Sequence, residues 1–309
     1  MSAVTVICAA DDRYALPLAV MLESLSAHAD PAQLIEVYII DCGLSAPRRA
    51  RIETRARPNL RFHWRPSMRL PELGSPRWGH VSAATFDRLL IERYLPSTTA
   101  RVLWLDCDLL VLDDITPLFS LPMNDSTLLA VPDPFIRTLG SPFGVQHWRD
   151  LGLPGDEAYF NAGVMLIDMV RWRATQVTSR AIDHVSRYRK ELFFNEQEAL
   201  NAVVAGQWAP LADRWNYSAN RFHAKRQSLG CEQPAIIHFA GRVKPWNLPD
   251  LGPAQELFFT HLDKTAWCGA RPNRTARNRL VSWYTRSRLR ELTYPLENLY
   301  LRLSHYLGI

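Results

Sequence analysis

The sequence predicts an α/β protein built on a mostly parallel mixed sheet that is flanked by helices. Short runs of β-branched and aromatic residues alternate with segments of helical apolar spacing, which is the pattern of repeated βα units. The run from Val102 to Leu112 is apolar except for two aspartates, as expected of a central strand buried on both faces. A chain of 309 residues with 47% hydrophobic and 22% charged residues can also bury a large core.

The first half of the chain predicts four strands and three helices in alternation. The strands are expected at Val4–Ala10, Ile35–Asp41, Leu60–Trp64 and Val102–Leu105, and the helices at Leu16–Ala27, Pro47–Ala56 and Thr85–Arg93, the last stopped by Pro96. Consecutive βα units connect parallel strands by right-handed crossovers.

The second half is less regular. It predicts strands at Tyr159–Asp168 and Ala235–Phe239 and helices at Arg180–Arg189 and Glu196–Val204. Residues 241–275 are rich in Pro, Gly and Asn and are predicted to form a loop. From Arg277 the pattern is helical again, with a break near Pro295.

Several classes of protein are disfavoured by the composition. No apolar run reaches 18 residues, so no transmembrane helix is predicted, and the N-terminus lacks the basic and long apolar regions of a signal peptide. The five cysteines are scattered and form no C-x-x-C pair. We therefore expect reduced thiols in a cytosolic protein, and neither a disulfide framework nor a zinc site.

The positive charge is concentrated in the C-terminal segment. Residues 264–309 hold nine Lys and Arg and two Glu, whereas the whole chain has a formal charge of +5. We predict a main domain over 1–263 and a basic, aromatic, helical segment over 264–309. Arginines beside Trp and Tyr are typical of a segment at an anionic membrane surface, which we assign to residues 270–309. The alternatives are a helical pair packed on the domain, a partner-binding helix, or contact with nucleic acid, which the interleaved apolar residues disfavour. After the break, the apolar residues on one helical face are Leu296, Leu299, Tyr300, Leu303 and Leu307.

The strongest chemical signal is the aspartate pair Asp106 and Asp108. Burying an ionised carboxylate inside an apolar strand costs on the order of several kcal/mol of desolvation free energy when no partner compensates it. The strand must therefore end there and present both groups at its carboxyl edge, where ligands bind in open α/β sheets. Carboxylates at i and i+2 point the same way and suit Mg²⁺ or Mn²⁺, although a solvated turn is the alternative for an isolated Asp-x-Asp.

Two further segments carry groups suited to a nucleotide. Asp11 and Tyr14 follow the first strand and offer an acceptor and a ring face for a base or ribose, or else Asp11 or Asp12 caps a helix. In the stretch from Ile236 to Trp246, His238 ends a strand, Gly241 allows close backbone approach, and Lys244 offers a charge for phosphate. A histidine, a glycine and a lysine this close together suit a metal-bound diphosphate.

These segments, with Tyr159-Phe-Asn-Ala-Gly-Val164, occur in the order found in glycosyltransferase family 8, and residues 4–250 resemble its bacterial lipopolysaccharide galactosyl- and glucosyltransferases and its glycogenin relatives. The resemblance implies a GT-A fold, a UDP-hexose donor and Mn²⁺, with Mg²⁺ as a possible substitute. It implies Asp106, Asp108 and His238 as metal ligands and Gln197, Glu196 and Arg88 as catalytic residues. It implies as donor-binding residues Ala9, Asp11, Tyr14, Arg88, Asp106, Cys107, Asp108, Asn161, Ala162, Gly241 and Lys244.

The function implied is transfer of galactose or glucose to a cell-surface glycan with retention of configuration, by a bacterial enzyme. The basic aromatic segment at the C-terminus predicts that this enzyme lies on the inner face of the cytoplasmic membrane. Gln197 has a poorly nucleophilic amide oxygen, which favours front-face attack, while Glu196 or Glu198 could serve as a nucleophile. The sequence departs from the family pattern at three places. Glu196 and Glu198 stand where the family usually has Asp, and Arg13 stands where it often has Asn. Ala240 stands at a position that the family fills with a small residue or a cysteine. Alternatives are a sugar-nucleotide nucleotidyltransferase, which usually has a Gly-rich loop, and a degenerate glycosyltransferase that acts as a binding or scaffold protein.

Overall fold

The computed structural model describes residues 4–70, 73, 83–189, 191–225 and 233–287. Its centre is a seven-stranded sheet in the order β3-β2-β1-β4-β7-β6-β8. The strands of this sheet are β1 (Val4–Ala10), β2 (Ile35–Asp41), β3 (Leu60–Pro66), β4 (Arg101–Leu105), β6 (Leu128–Pro132), β7 (Phe160–Asp168) and β8 (Trp208–Pro210). A three-stranded sheet in the order β5-β10-β9 contains β5 (Leu109–Val111), β9 (Tyr217–Ser218) and β10 (Ile236–His238).

The mixed, mostly parallel character of the large sheet is confirmed. Strands β3, β2, β1 and β4 run parallel to one another, and β6 runs parallel to β8. Strand β7 runs antiparallel to both of its neighbours, β4 and β6. Strands β1, β2, β3 and β4 begin and end within two residues of the predicted positions. The signal is clearest in β1 and β4, which are buried almost throughout and read as nearly unbroken apolar runs.

The sheet separates two apolar layers. On β1, Val6 and Cys8 join the layer that includes α1, α2 and α8, whereas Ile7 joins the layer that includes α5 and α6. This alternation follows from the two-residue repeat of a strand. The helices are α1 (Ala15–His28), α2 (Ala46–Thr54), α3 (Ile91–Tyr94), α4 (Met169–Ala174), α5 (Val177–Tyr188), α6 (Asn195–Val203), α7 (Ala219–Lys225), α8 (Pro253–Leu262) and α9 (Ala276–Arg286).

Two predictions about helices were wrong. Residues 241–275 were expected to be a loop, but α8 lies within them and buries Ala254, Phe258 and Leu262 against the first layer. Pro is compatible with a helix when it stands at the first position, as Pro253 does here. The helix expected over 85–93 is instead a 3₁₀ segment, Ala83–Leu90, followed by the single turn of α3, and within it the carboxylate of Asp87 accepts a hydrogen bond from Ser67.

The C-terminal segment first packs on the domain and then forms α9. Trp267 is buried in the first layer, and the guanidinium of Arg51 donates to the carbonyl of Ala266 and stacks over the Trp267 ring. The predicted break at Pro295 and the apolar face from 296 to 307 lie outside the described residues. No helix in the described ranges is long and apolar enough to cross a membrane.

Candidate active site

The aspartate pair lies where the central strand ends. Strand β4 stops at Leu105, Asp106 follows directly, and Asp108 precedes β5. Strand β10 pairs antiparallel with β5 so that His238 lies opposite Leu109, next to the pair. Ligand atoms of Asp106, Asp108 and His238 all lie within 4.8 Å of one another. Two sheets therefore meet at a cluster of two carboxylates and one imidazole.

The cluster suits a hard divalent cation. Carboxylate oxygens are the preferred ligands of Mg²⁺ and Mn²⁺, and an imidazole nitrogen is accepted by Mn²⁺ more readily than by Mg²⁺. The Nε2 atom of His238 lies 3.4 Å from Oδ1 of Asp108, so the ring nitrogen faces the carboxylates. Among the described residues this is the group of His, Cys, Asp and Glu side chains with the closeness needed to hold a metal ion.

A buried lysine neutralises one aspartate. The ammonium group of Lys244 forms an ion pair with Asp108 and donates a 2.7 Å hydrogen bond to the carbonyl of Phe239. Burial by itself would raise the pKa of Asp108, but the charge of Lys244 beside it holds that pKa well below its usual range. Asp108 is therefore ionised at neutral pH without a metal ion.

An arginine pairs with the other aspartate. Arg88 is 4% exposed, and its guanidinium joins Asp106 to Glu196. The indole N–H of Trp104 also donates to Asp106 at 2.8 Å, and Arg88 lies over the Trp104 ring. Burial raises the pKa of Glu196, and the charge of Arg88 opposes that rise.

The amide side chains form the next part of the site. The side-chain oxygen of Gln197 accepts from the backbone N–H of Ala162 at 3.0 Å, and its nitrogen donates to Asp133 at 3.4 Å. The amide nitrogen of Asn161 donates to the same carboxylate oxygen of Asp133 at 3.0 Å. Asp133 also accepts two backbone N–H groups at the start of the loop that follows β6, which fixes its orientation.

The segment after β1 is built by an aspartate cap. Asp11 accepts the backbone N–H groups of Arg13 and Tyr14 and pairs with the Arg13 guanidinium, as the capping alternative predicted. The Tyr14 ring packs edge-on against Trp246, with centroids 6.0 Å apart. Burial and the nearby carboxylates raise the pKa of Tyr14, so its hydroxyl is neutral and available as a donor.

The structure brings most of the predicted site residues together. The thiol of Cys107 donates to the carbonyl of Ala9 at 3.1 Å, which joins the first segment to the aspartate pair. Gly241 has a φ of +83° and open space where a Cβ would lie, so its conformation is one that glycine favours. Asn161 and Ala162 both lie on strand β7. Ala162 donates its backbone N–H to Gln197, and Asn161 and Gln197 donate to the same carboxylate oxygen of Asp133.

Two residues of the site were not predicted from the sequence. Asn216 hydrogen-bonds to His238, and Asp133 hydrogen-bonds to both Gln197 and Asn161. Asp133 stands in the segment Val131-Pro-Asp-Pro-Phe135 after an apolar run, a strand-end signal like that of Asp106. Asn216 had no comparable signal, because it lies in a short 3₁₀ turn whose position depends on the fold.

The fold and this site define the chain as an enzyme of the glycosyltransferase class with a GT-A-like architecture. Its structure superposes on that of the galactosyltransferase LgtC in complex with donor and acceptor sugar analogs, with a TM-score of 0.70 and 28% identity over 84% of this chain and 96% of that one. The profile of glycosyl transferase family 8 matches residues 5–248. The chain therefore belongs to glycosyl transferase family 8.

Two bacterial proteins are similar to much of the sequence. General stress protein A of Bacillus subtilis is 29% identical over 283 residues, which are 85% of this chain and 94% of that protein. The lipopolysaccharide 1,2-glucosyltransferase of Escherichia coli is 25% identical over 193 residues, which are 60% of this chain and 56% of that enzyme.

Proposed function

We propose that this protein transfers a hexose from a UDP-sugar to a cell-surface glycan, such as lipopolysaccharide, with metal assistance and retention of configuration. The observation that carries the proposal is the convergence of Asp106, Asp108 and His238 within 4.8 Å. Lys244 and Arg88 place two positive charges on either side of that cluster. The galactosyltransferase and lipopolysaccharide glucosyltransferase relatives support the substrate class.

The leaving group of such a reaction is a nucleoside diphosphate. A divalent ion held by the two aspartates and His238 would neutralise the charge that develops on the diphosphate. The ammonium group of Lys244 is paired with Asp108, and from this position it could also attract the phosphate oxygens of the donor. Tyr14, beside Trp246, offers a ring for the base, and Asp11, Ala9 and Cys107 are proposed to line the same end of the donor site.

The surroundings of Gln197 and Glu196 favour front-face attack over a protein nucleophile. Glu196 is buried and paired with Arg88, which reduces the nucleophilicity of its carboxylate. Gln197 is held by Ala162 and Asp133, so its amide oxygen has a fixed position beside strand β7. We therefore assign Gln197 the stabilisation of positive charge on the anomeric carbon, and Arg88 the positioning of Asp106 and the donor.

Two exposed aromatic rings near Gln197, the first residue before α6 and one in the loop after β6, are proposed to form a surface for the acceptor. Phe194 immediately precedes α6 and is 41% exposed, and Phe135 follows Asp133 and is 56% exposed. Phe194 stands three residues before Gln197, and Phe135 stands two residues after Asp133, which accepts a hydrogen bond from Gln197. Flat apolar rings pack well against sugar faces, so we assign these two residues to acceptor binding.

The donor is tested by measuring UDP release from UDP-glucose and UDP-galactose, with GDP-mannose as a control sugar nucleotide, in Mn²⁺ and in EDTA. We expect Mn²⁺-dependent hydrolysis of one UDP-hexose, and a loss of at least about 10²-fold in Asp108→Asn. The matched control is Asp125→Asn, because Asp125 is an exposed aspartate paired with Arg171 away from the cluster. Equal turnover by Asp108→Asn and wild type would refute the metal assignment, and donor binding without turnover would indicate a sugar-nucleotide-binding protein.

We also propose that the C-terminal segment holds the enzyme at an anionic membrane on the cytoplasmic side. On α9, Leu280, Val281 and Trp283 are exposed, and Arg277 and Arg279 are exposed beside them. Apolar side chains next to arginines bind a surface that offers both acyl chains and phosphate.

Vesicle flotation tests this attachment. We expect the protein to bind phosphatidylglycerol vesicles and not pure phosphatidylcholine vesicles, and the double change Leu280→Ser with Trp283→Ser to weaken that binding. The control is Val170→Ser, since Val170 is 62% exposed on α4. Unchanged binding by the α9 variant would mean that this helix does not form the membrane contact.

A further inference from the structure

A chain of hydrogen bonds connects strand β7 to the imidazole of the metal cluster. The backbone N–H of Gly163 lies 3.0 Å from Oδ1 of Asn161, and Nδ2 of Asn216 lies 2.9 Å from the same oxygen. Oδ1 of Asn216 then lies 2.8 Å from Nδ1 of His238. Asn216 and His238 are 7% and 6% exposed, so water competes little for these bonds.

The direction of every bond in this chain is fixed by its two ends. A backbone N–H can only donate, so the atom of Asn161 that faces Gly163 must be the carbonyl oxygen. The opposite atom of Asn161 is then the NH₂ group, which agrees with its 3.0 Å contact to the carboxylate of Asp133. The orientation of the Asn161 amide is therefore fixed by a donor at one end, the Gly163 N–H, and an acceptor at the other, the Asp133 carboxylate.

The same logic continues to the histidine. Asn161 Oδ1 has two lone pairs, so the group of Asn216 that meets it is the NH₂, and the group that meets His238 is the carbonyl. A carbonyl oxygen 2.8 Å away requires a proton on Nδ1 of His238. The lone pair of the neutral imidazole is then on Nε2, the nitrogen that faces Asp108.

We propose that Asn216 is a positioning residue that holds His238 in the tautomer able to bind a metal ion, and that it receives this orientation from the Gly163 backbone through Asn161. The proposal rests on the metal site proposed above. Without the Asn216 acceptor, the ring could place its proton on Nε2 and donate it to Asp108, 3.4 Å away. That proton would occupy the lone pair that coordination needs, and it would tie two proposed metal ligands to each other.

The affinity for Mn²⁺, measured by electron paramagnetic resonance with no sugar substrate, distinguishes the two roles of the Asn216 side chain. These are its carbonyl, which accepts from His238, and its NH₂ group, which donates to Asn161. Asn216→Leu removes the acceptor at similar size, and we expect a loss of about 10- to 100-fold in affinity, as for other residues that orient metal ligands. Asn216→Asp keeps an acceptor for Nδ1–H and loses the donor to Asn161, so its affinity should equal or exceed that of wild type. Asn59→Leu is the matched control, because Asn59 is a buried asparagine bonded to Ser26 far along the chain from the cluster.

A second measurement does not depend on a variant at position 216. The ¹⁵N shifts of the metal-free wild-type protein, at a pH where the ring is neutral, should show a protonated Nδ1 and an unprotonated Nε2 for His238. His238→Gln identifies the signal among the nine histidines. A protonated Nε2 in the wild type, unchanged Mn²⁺ affinity in folded Asn216→Leu, or an equal loss in Asn216→Asp would each overturn the proposal. If His238→Gln binds Mn²⁺ as well as wild type, the metal site itself is wrong and not merely the role of Asn216.

Discussion

Substituting alanine for Gly163 should disable the proposed metal site although none of its three ligands is replaced. A Cβ added at Gly163 would lie 2.4 Å from Cε1 and 2.8 Å from Nδ1 of His238, and 3.0 Å from Oδ1 of Asn161. Gly163 sits in strand β7 with ordinary extended geometry, so the conflict comes from the neighbouring side chains and not from the backbone. The glycine is required because an imidazole from the second sheet packs directly against the first.

The size of the effect follows from these distances. Ordinary carbon contacts begin near 3.4 Å, so the His238 ring must retreat by about 1 Å. A retreat of that size would stretch the 2.8 Å bond to Asn216 and withdraw Nε2 from the aspartates. Overpacking of this kind costs about 1–3 kcal/mol of stability, and a misplacement of about 1 Å can lower turnover by about 10²-fold.

The assay for Gly163→Ala combines three measurements on one preparation: urea denaturation, Mn²⁺ affinity and UDP release. Gly206→Ala serves as the control because Gly206 has a φ of +69° and open space around the added Cβ. It should lose about 1 kcal/mol through backbone strain and keep its Mn²⁺ affinity. Wild-type Mn²⁺ affinity in Gly163→Ala would refute the argument that this contact sets the position of His238.

Two further predictions concern ionisable groups of the site. Burial raises the pKa of Glu198 to about 7 against its usual 4.5, so its contribution to stability is complete below pH 4.5 and is lost as pH rises to 7; the free energy of unfolding should fall by roughly 3 kcal/mol over that range. Urea titrations at pH 5 and pH 8 should show this difference, and Glu198→Gln should abolish it. Lys244→Met removes the cation that holds the pKa of Asp108 low, so Mn²⁺ alone and the UDP-sugar should both bind less tightly, which calorimetry would detect; unchanged affinity for either one would contradict a role of Lys244 in that contact.

The strands of the parallel half were predicted closely because local and tertiary requirements agree there. A strand covered on both faces must be apolar throughout, and the sequence of β1 or β2 has no other reasonable interpretation. The direction of a strand has no such local signal. Strand β7 was recognised as a strand, but its antiparallel pairing with β4 and β6 depends on how the chain returns to the sheet.

Helix α8 shows the opposite case. The Pro, Gly and Asn content of residues 241–275 predicted a loop, although Ala254, Phe258 and Leu262 recur every four residues and mark one helical face. The ten residues of α8 were not predicted because the composition was judged over the whole of residues 241–275, most of which do not belong to this helix. A search for short periodic runs that begin with Pro would have found it.

The residues of the site could be predicted only where the local sequence pattern marks them. Asp106 and Asp108 interrupt an apolar run and His238 ends one, so their positions at strand ends were predicted from local sequence, whereas their grouping as one set of metal ligands was implied only by the family resemblance. Asn216 and the partners of Arg88 are defined by long-range contacts that no local pattern records.

The structure also adds a physical meaning to the aspartate pair that its spacing could not supply. The two carboxylates have different cationic partners, since Arg88 pairs with Asp106 and Lys244 pairs with Asp108. Because Lys244 holds the pKa of Asp108 well below its usual range despite burial, that carboxylate needs no deprotonation before it can bind a cation. A buried pair of charges of this kind adds little net stability. We infer that the pair is maintained because it keeps a proposed metal ligand ionised at an apolar strand end, with Lys244 beside the proposed position of the diphosphate.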